Sequence, residues 1–298
     1  MALVLTCDVE DWLQAYTQNC PVTRRVYNNV ENTLELLESA GVHATFFVQG
    51  MVAEKYPDLV REMSDRGHDV QTHGYSHKKV CTLSPAQFKD ELLRCKDIIG
   101  SVTGKPVIGF RAPAFSIGPD DTWAYDVLLE CGFEYDSSLF PLKTRRYGFR
   151  GNTQPFSINR GDGVLFEFPV AVAECSFVRL PAGGGGYMRY LPLAVWKAIW
   201  KRVLSKETVR VLYFHPYDIN PEDFSGMEEQ VTWFIRFTQK IGRSTVKDKI
   251  RAVSELAGGN TMTMTQSYLS LTNQARTDID TQKPNTLPSA EMGTRWCT

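Results

Sequence analysis

The sequence lacks the features that would place the chain in a membrane or in a disulfide-rich secreted scaffold. No run of residues approaches the ~20 consecutive apolar residues that a membrane-spanning helix needs. The seven cysteines are scattered and form no C-x-x-C pair, which favours reduced thiols over a disulfide framework. The opening apolar run is short and no basic stretch precedes it, so it does not resemble a secretory signal. We therefore expect a cytoplasmic protein with no transmembrane segment.

The chain also lacks an excess of charge of either sign. Its formal net charge is −1, so no overall field attracts nucleic acid or an anionic membrane. With 298 residues, 43% of them hydrophobic and 22% charged, it is long enough for one large globular domain. A partner must therefore be recognised by a local site, nucleic acid is not expected, and the oligomeric state is left open.

The sequence does contain a regular alternation of strand and helix patterns. The segment HATFFVQG (43–50) is compact and rich in β-branched and aromatic residues, as buried strands are, and Ser84 with Pro85 marks the start of an amphipathic helix. Alternation of this kind predicts parallel βα units and an α/β fold. A turn-rich insert at 137–210 interrupts the alternation before the strand pattern returns in RVLYFHPYDI.

The last part of the sequence differs in composition from the rest. Residues 257–298 are mostly Thr, Ser, Asn, Gln and Asp, with few large apolar side chains. Such a segment has little apolar surface to bury. We therefore predict one folded domain at 1–256 and a polar tail at 257–298 that is disordered or loosely attached.

Polar side chains follow several predicted strands at the point where each strand ends. The carboxyl ends of parallel strands face one pocket, so residues that are distant in sequence converge there. This coincidence predicts a functional site, although each feature alone is weak evidence. The residues concerned are Asp8 with Glu10, His73 with His77, Arg111, Asp136 and His215.

The histidine pair and the acidic run are compatible with a metal centre. His73 and His77 are four residues apart, and two imidazoles with one carboxylate form a common metal-binding set that leaves positions open for water and substrate. Asp8 and Glu10 are two residues apart, so a regular strand places them on one face. One carboxylate could bind the metal while the other takes a proton from water. Two surface histidines and an acidic strand end remain the alternative interpretation.

Arg111 and His215 could interact electrostatically with the carboxylates of such a site. A guanidinium aimed into the pocket could keep a carboxylate ionised through charge-assisted hydrogen bonds. A part-buried histidine beside a carboxylate could act as a general acid, and Asp136 and Asp218 are both candidates for that neighbour. A surface arginine and a core histidine are the alternatives.

The run AGGGGYMR lies within the insert. Consecutive glycines allow the backbone to approach a ligand closely, although a plain flexible hairpin would look the same. A phosphate-binding loop is excluded because no Lys followed by Ser or Thr comes after the glycines. Trp196 and Trp200, in the helix that follows, share one face and predict core packing.

Five segments in order resemble the motifs of the NodB-like polysaccharide deacetylases, carbohydrate esterase family four. The segments are TCDVED, HGYSH, FRAPAFS, FEYDSS and LYFHPYD, and the resemblance extends over about residues 2–256. It implies a distorted (β/α) barrel, usually of seven strands, with an insert before the last motif. The insert resembles a branch associated with bacterial exopolysaccharide synthesis.

The resemblance also implies a role for each site residue. Asp8 would be the general base, His215 the general acid, Arg111 the partner of Asp8, and Asp136 the partner of His215. The metal ligands would be Glu10, His73 and His77, and the implied substrate contacts are Pro113, Gly185, Gly186 and Tyr187. One departure concerns the first motif, where Val9 stands in place of the second aspartate that is common in the family. The third ligand is therefore Glu10 or Asp11, and we expect Glu10.

The expected activity is metal-dependent removal of N-acetyl groups from the amino sugars of a polysaccharide or oligosaccharide. Zn²⁺ is the expected metal because of the ligand types. Two alternatives stay open at this point: an allantoinase-like hydrolase of small amides, and a glycan-binding protein without catalytic activity.

Overall fold

The first strand shows how the sequence determines the layers of the fold. In the computed structural model, which describes residues 2–15, 21–144, 147–175, 178–206, 208–223 and 232–278, a strand spans Ala2–Val9 and is buried along its whole length. Leu3 and Leu5 pack into the large core beneath the helices, whereas Val4 belongs to a second cluster. Since successive side chains of a strand point to opposite faces, one face meets the helices and the other lines the inside of the curved sheet.

Eleven strands lie within the described residues. They are β1 (Ala2–Val9), β2 (Thr45–Val48), β3 (Asp69–Thr72), β4 (Gly109–Phe110), β5 (Tyr135–Asp136), β6 (Phe156–Arg160), β7 (Gly163–Glu167), β8 (Val172–Cys175), β9 (Val178–Pro181), β10 (Val209–Phe214) and β11 (Thr261–Met262). The order in the main sheet is β10-β1-β2-β3-β4-β5-β7-β6, and β11 pairs with β1. From β10 to β7 every pairing is parallel, whereas β6 pairs with β7 and β8 with β9 in antiparallel hairpins.

The seven strands from β10 to β7 form the barrel. Val170, just after β7, pairs in parallel with Val211 of β10, so the curled sheet nearly closes. The predicted distorted (β/α) barrel is therefore confirmed, and the segment between β5 and β10 supplies its last strand together with both hairpins.

Helices surround this sheet, and most of them pack against its outer face. Their bounds are α1 (Arg24–Ser39), α2 (Gly50–Lys55), α3 (Pro57–Asp65), α4 (Pro85–Thr103), α5 (Trp123–Glu130), α6 (Gly185–Tyr190), α7 (Leu193–Leu204), α8 (Trp233–Lys240), α9 (Val246–Leu256) and α10 (Met264–Asp278). Helix α4 begins with a capping box, in which the Ser84 hydroxyl accepts from the backbone N–H of Gln87 and the Gln87 side chain accepts from the backbone N–H of Ser84. Trp196 and Trp200 of α7 are fully buried in the core, as their spacing predicts.

Residues 261–278 differ from the disordered tail that the composition predicts. Strand β11 pairs with Leu3 and Val4 of β1, and α10 follows it. Met264 is fully buried in the inner cluster, and its backbone N–H donates to the Thr45 hydroxyl (2.7 Å). The segment orders because its few apolar side chains fall at helical spacing and fill the inside of the sheet. Residues 279–298 of the predicted tail lie outside the described residues.

The cysteines only partly follow the sequence-based expectation. Cys7, Cys95, Cys131 and Cys175 carry free thiols, whereas Cys81 is disulfide-bonded. The expectation of reduced thiols is therefore wrong for Cys81. In the described part of the chain, no helix combines the length and the apolar character needed to cross a bilayer.

Candidate active site and metal centre

The parallel pairing brings the ends of the strands to one edge of the barrel. Cys7 lies beside Phe214, Thr72 beside Phe110, and Phe110 beside Asp136. Each of these strands ends or breaks within a few residues of the paired position, so the polar side chains that follow emerge at the same edge. The structure thereby places at this edge Asp8, Glu10, His73, Arg111, Asp136 and His215.

Glu10, His73 and His77 form a cluster whose donor atoms suit a metal ion. One donor atom from each residue lies within 4.8 Å of the others. Glu10 Oε2 is 3.6 Å from His73 Nε2 and contacts His77 Nε2. His73 uses Nδ1 for a hydrogen bond to the Arg111 carbonyl (2.9 Å), which leaves Nε2 directed at the carboxylate. Two imidazoles and one carboxylate fit a divalent cation with open positions.

The turn that carries His77 is held in an unusual conformation. Gly74 has φ +75° and His77 has φ +60°, a value that non-glycine residues seldom adopt. The Glu91 carboxylate on α4 accepts hydrogen bonds from the backbone N–H groups of Tyr75 (3.3 Å) and Ser76 (3.2 Å) and from the Ser76 hydroxyl. Such strain persists only where the surroundings stabilise it, and here Glu91 does so.

Arg111 lies against Asp8, as expected from the sequence. The guanidinium is fully buried and donates from Nη1 to Asp8 Oδ1 (2.7 Å) and to the Thr6 hydroxyl (2.8 Å). Its other nitrogens donate to the carbonyl (3.0 Å) and hydroxyl (2.7 Å) of Ser137. Removing one partner of a buried pair leaves an uncompensated charge and costs about 3–5 kcal/mol. The arrangement therefore fixes Asp8 in position beside a buried guanidinium.

His215 pairs with Asp218 and not with Asp136. His215 Nδ1 lies 3.0 Å from Asp218 Oδ2, and the same oxygen accepts from the His215 backbone N–H at 3.0 Å. Asp136 instead accepts from the Ser138 hydroxyl (2.5 Å) and faces Glu167. The structure thus corrects the predicted Asp136–His215 pair, because the Pro216–Ile219 turn brings Asp218 back onto the imidazole.

The charges around His215 favour its protonated form. Burial by itself lowers the pKa of His215, but the hydrogen bond to Asp218 and the negative charge of Glu10 outweigh it and raise this pKa to about 9. Burial likewise raises the pKa of Asp218, but His215 and the guanidinium groups of Arg189 and Arg243 bring it down to about 2. At neutral pH the pair is therefore an imidazolium beside a carboxylate.

Asp136 belongs to a buried carboxyl pair. Burial raises the pKa of Asp136 to about 6, and burial together with the charge of Asp136 raises the pKa of Glu167 well above its usual value. Glu167 Oε1 accepts from the Leu139 backbone N–H (2.9 Å). Because two neighbouring carboxylates do not both ionise in a dry site, these raised pKa values indicate that the two side chains share one proton.

This pair gives the fold a specific dependence on pH. The pKa values of both carboxyls are higher in the folded chain than in the unfolded chain, where they lie near 4. The folded chain therefore holds more protons than the unfolded chain above this pH. Its free energy of unfolding falls as the pH rises from about 4 through about 6 and above. Each proton contributes a slope of about 1.4 kcal/mol per pH unit. In Glu167→Gln the amide replaces the shared proton, so we expect the stability of the variant relative to wild type to rise with pH.

Urea unfolding of both proteins at several pH values measures this slope. Glu134→Gln, at an exposed position nearby, is the control that should follow wild type at every pH. Parallel curves for wild type and Glu167→Gln would refute the shared proton.

Asp11 has a structural position and lies apart from the metal cluster. Its carboxylate accepts from the backbone N–H of Leu13 (3.2 Å) and from the backbone N–H (2.7 Å) and hydroxyl (2.6 Å) of Thr23. Thr23 is in turn the N-cap of α1. Asp11 therefore fixes the start of α1, and Glu10 is the carboxylate of the first motif that faces the histidines.

The glycine run has a packing reason. A Cβ atom on Gly185 would lie 1.7 Å from Asp218 Oδ2, and one on Gly184, whose φ is +121°, would lie 2.9 Å from the Tyr213 ring. Only glycine allows this segment to lie against the carboxylate that holds His215. A Cβ atom on Gly186, in contrast, would meet no described atom within 4 Å, so packing against the described residues does not require glycine there.

The other predicted substrate contacts lie in an aromatic region near Arg111. Tyr187 stacks on Phe140 (ring centroids 6.4 Å apart, planes at 15°) within a cluster that includes Phe115. Pro113 begins the short turn to Phe115 and lies 3.5 Å from the position that a Cβ on Gly74 would take. The Phe115 ring is 5.9 Å from the Arg111 guanidinium carbon. Gly186, Tyr187 and Pro113 therefore remain candidates for substrate binding.

Sequence reasoning missed three residues that shape the site. Tyr217 donates to Glu10 Oε1 (3.0 Å), Glu91 holds the His77 turn, and Glu167 shares a proton with Asp136. A tyrosine two residues after His215 is a signal that could have been read from the last motif. Nothing in the sequence pattern indicates the long-range partners Glu91 and Glu167.

Two family models match the chain. Residues 19–135 match a model described as polysaccharide deacetylase, and residues 137–265 match a domain of unknown function. The first segment contains His73, His77 and Arg111, and the second contains His215 and Asp218. The site is thus assembled from both matched segments and from the β1 residues that precede them.

Known relatives share part of the chain. A peptidoglycan deacetylase-like protein of Gibberella zeae is 35% identical over 112 residues, 37% of this chain and 32% of that protein. The peptidoglycan deacetylase of Helicobacter pylori is 32% identical over 110 residues, 37% of this chain and 36% of that protein. The chain therefore matches about a third of the length of these curated relatives.

A solved structure resembles nearly the whole chain. It is a protein of Mycobacterium smegmatis assigned as a polysaccharide deacetylase, which superposes with a TM-score of 0.66 at 21% identity and covers 98% of this chain and 94% of its own. At this identity the likeness establishes the shared fold. Residues 19–135 are thus similar to the polysaccharide deacetylase family, and the chain as a whole shares the fold of this solved structure.

Proposed function

We propose that this chain is a metal-dependent hydrolase that removes N-acetyl groups from the amino sugars of a polysaccharide or oligosaccharide. One observation carries the proposal. The Glu10–His73–His77 cluster lies at the same edge of the sheet as the buried Arg111–Asp8 pair and the His215–Asp218 pair, with Glu10 Oε1 3.6 Å from His215 Nε2. A metal site beside a fixed carboxylate and a fixed imidazolium provides both the base and the acid that amide hydrolysis needs.

Asp8 is the proposed general base. Arg111 holds its carboxylate in place, where it accepts a proton from the water that attacks the acetyl carbonyl carbon. A divalent cation held by Glu10, His73 and His77 would supply Lewis-acid chemistry, polarising the carbonyl and lowering the pKa of water toward ~7.

His215 is the proposed general acid. Its Nδ1 is occupied by Asp218, so the proton on Nε2 is the one available to the leaving group. When the C–N bond of the amide breaks, His215 gives this proton to the sugar nitrogen. The products are acetate and a free amino sugar, and Asp8 returns its proton to solvent or to His215 in the next cycle.

Zinc is the proposed metal. Two imidazole nitrogens and one carboxylate oxygen with open positions are the ligand set of many catalytic zinc sites. Cobalt(II) and manganese(II) accept the same donor types, so the preference has to be tested by loading each metal separately.

The proposed substrate is an acetylated glycan chain. The relatives named above act on, or resemble enzymes that act on, peptidoglycan, a polymer that contains acetylated amino sugars. The aromatic region with Tyr187 and Phe115 offers apolar ring surface next to Arg111, and the Gly186 backbone is a candidate for contact with sugar hydroxyls. A role in exopolysaccharide synthesis is one use of this activity.

The compartment is part of the proposal. The cytoplasmic location expected from the sequence depended in part on reduced cysteines, and the disulfide at Cys81 removes that part of the support. Disulfides persist in oxidising compartments, which are also where cell-wall and exported glycans are modified. We therefore favour an oxidising compartment over the cytoplasm.

Acetate release tests the function. The zinc-loaded chain should release acetate from acetylated glucosamine oligomers or from peptidoglycan, with an equal amount of new free amine. Turnover of allantoin-like ureides without acetate release would replace the proposal by the small-amide alternative. Glycan binding without any turnover would indicate a non-catalytic protein.

A further inference from the structure

The two oxygens of Glu10 face different partners. Oε2 is 3.6 Å from His73 Nε2 and contacts His77, on the side of the metal cluster. Oε1 accepts a hydrogen bond from the Tyr217 hydroxyl (3.0 Å) and is 3.6 Å from His215 Nε2. We propose that Tyr217 is the positioning residue of the metal centre: it holds Glu10 so that a single oxygen is presented to the metal, and this inference depends on the proposed function.

Glutamate at this position needs such a partner. Its side chain has one more rotatable bond than aspartate, so an untethered carboxylate can rotate and offer both oxygens, or leave the cluster. A donor fixed on Oε1 removes that freedom, since a ligating carboxylate is oriented by its own hydrogen bonds. The position that the second oxygen would occupy then stays open for water and substrate.

Tyr217 is itself held rigidly. Its ring stacks on the His215 imidazole, with centroids 4.6 Å apart and planes at 8°, and the Arg243 guanidinium carbon lies 5.3 Å from the centroid of the same ring. It also packs against Trp12 and Leu13. Because Tyr217 touches both Glu10 and His215, it sets the position of the proposed acid relative to the metal ligand.

This contact also gives a role to the second matched segment. Tyr217 belongs to the 137–265 region that matches a domain of unknown function, whereas both histidine ligands belong to the polysaccharide deacetylase match. Glu10 precedes both matched segments, so the Tyr217 hydroxyl connects the second segment, through Glu10, to a centre whose two histidines come from the first. The second segment completes the centre rather than merely adjoining it.

Metal titration of Tyr217→Phe tests the inference. Apoprotein is titrated with Zn²⁺ in competition with a chromophoric chelator, and the visible absorption of the Co²⁺-loaded protein reports the coordination geometry. We expect about 10–100-fold weaker zinc binding and an altered cobalt spectrum, with a melting temperature of the apoprotein close to wild type. Tyr135→Phe is the matched control: it removes another buried hydroxyl, bonded to Thr265 (2.9 Å) and Asp69 (3.3 Å), and should bind both metals as wild type does.

If Tyr217→Phe folds poorly, Glu10→Asp alone tests the same contact, and where Tyr217→Phe folds, the two substitutions are combined. Glu10→Asp shortens the side chain out of reach of Tyr217, so adding Tyr217→Phe to it should change zinc affinity much less than in the wild-type background. Wild-type zinc affinity and cobalt spectrum in folded Tyr217→Phe would overturn the inference alone. If the wild-type chain binds no zinc, the proposed function fails and the inference fails with it.

Discussion

Replacing His73 by alanine is expected to eliminate metal binding and to reduce acetate release to background. The substitution removes one of the three donors and the imidazole that hydrogen-bonds the Arg111 carbonyl. Loss of a direct ligand should weaken zinc binding by more than the roughly 10–100-fold that loss of an outer-shell partner causes. Metal content of the purified variant, measured with its acetate release, checks both effects.

His43→Ala provides the control for this result. His43 is exposed and contacts His68 (ring centroids 5.5 Å apart) away from the cluster, so it should keep wild-type metal content and activity. Full zinc and full activity in His73→Ala would show that the ligand assignment is wrong.

Replacing Asp218 by asparagine is expected to lower kcat by about 10²–10⁴, the range that general acid–base catalysis contributes. Asparagine removes the negative charge beside His215 and allows the wrong imidazole tautomer. The pKa of His215 should fall, because the Asp218 hydrogen bond and charge are among the causes that raise it. The alkaline limb of the pH–rate profile should therefore move to lower pH.

Asp136→Asn distinguishes the His215–Asp218 pair from the His215–Asp136 pair that the family motifs imply. Asp136 faces Glu167 and Ser138, so its replacement should act mainly on stability and leave the alkaline limb in place. A greater loss of kcat in Asp136→Asn than in Asp218→Asn, with a shifted limb, would contradict the structural pairing.

The convergence of the site could be predicted from the sequence because it follows from topology. Asp8, His73, Arg111 and His215 each lie at or close to the end of a strand of one parallel sheet, and such strands end at one edge. A contact of Arg111 with a carboxylate followed from the same argument combined with charge, whereas the choice of Asp8 came from the resemblance to the family. The partner of His215 could not be chosen from the sequence, because the fourth motif and the turn after His215 each contain an aspartate.

The choice between Asp136 and Asp218 depends on a local geometry that the sequence only hints at. Pro216 starts a short turn, and a residue three positions after His215 then lies beside its imidazole. Gly185 is explained by the same pair, since its missing Cβ leaves room for Asp218. A glycine that serves packing and a glycine that serves a ligand look alike in a sequence.

The end of the chain shows the limit of composition as a guide. Residues after 257 are polar, yet Met264, Tyr268 and Leu271 recur at helical spacing and meet the inner cluster of the barrel. A few apolar side chains at helical spacing were enough to order this segment. They pack on the inside of the curved sheet, a surface that cannot be recognised from the sequence alone.

Reconstitution of activity with metal is the most direct test of the central claim. The chain is stripped with a chelator, and acetate release from acetylated glucosamine oligomers is measured as zinc is restored. The account predicts no acetate from the stripped protein and activity that rises to a plateau at one zinc per chain. Acetate release that survives complete removal of metal, or none from protein with one zinc bound, would contradict it.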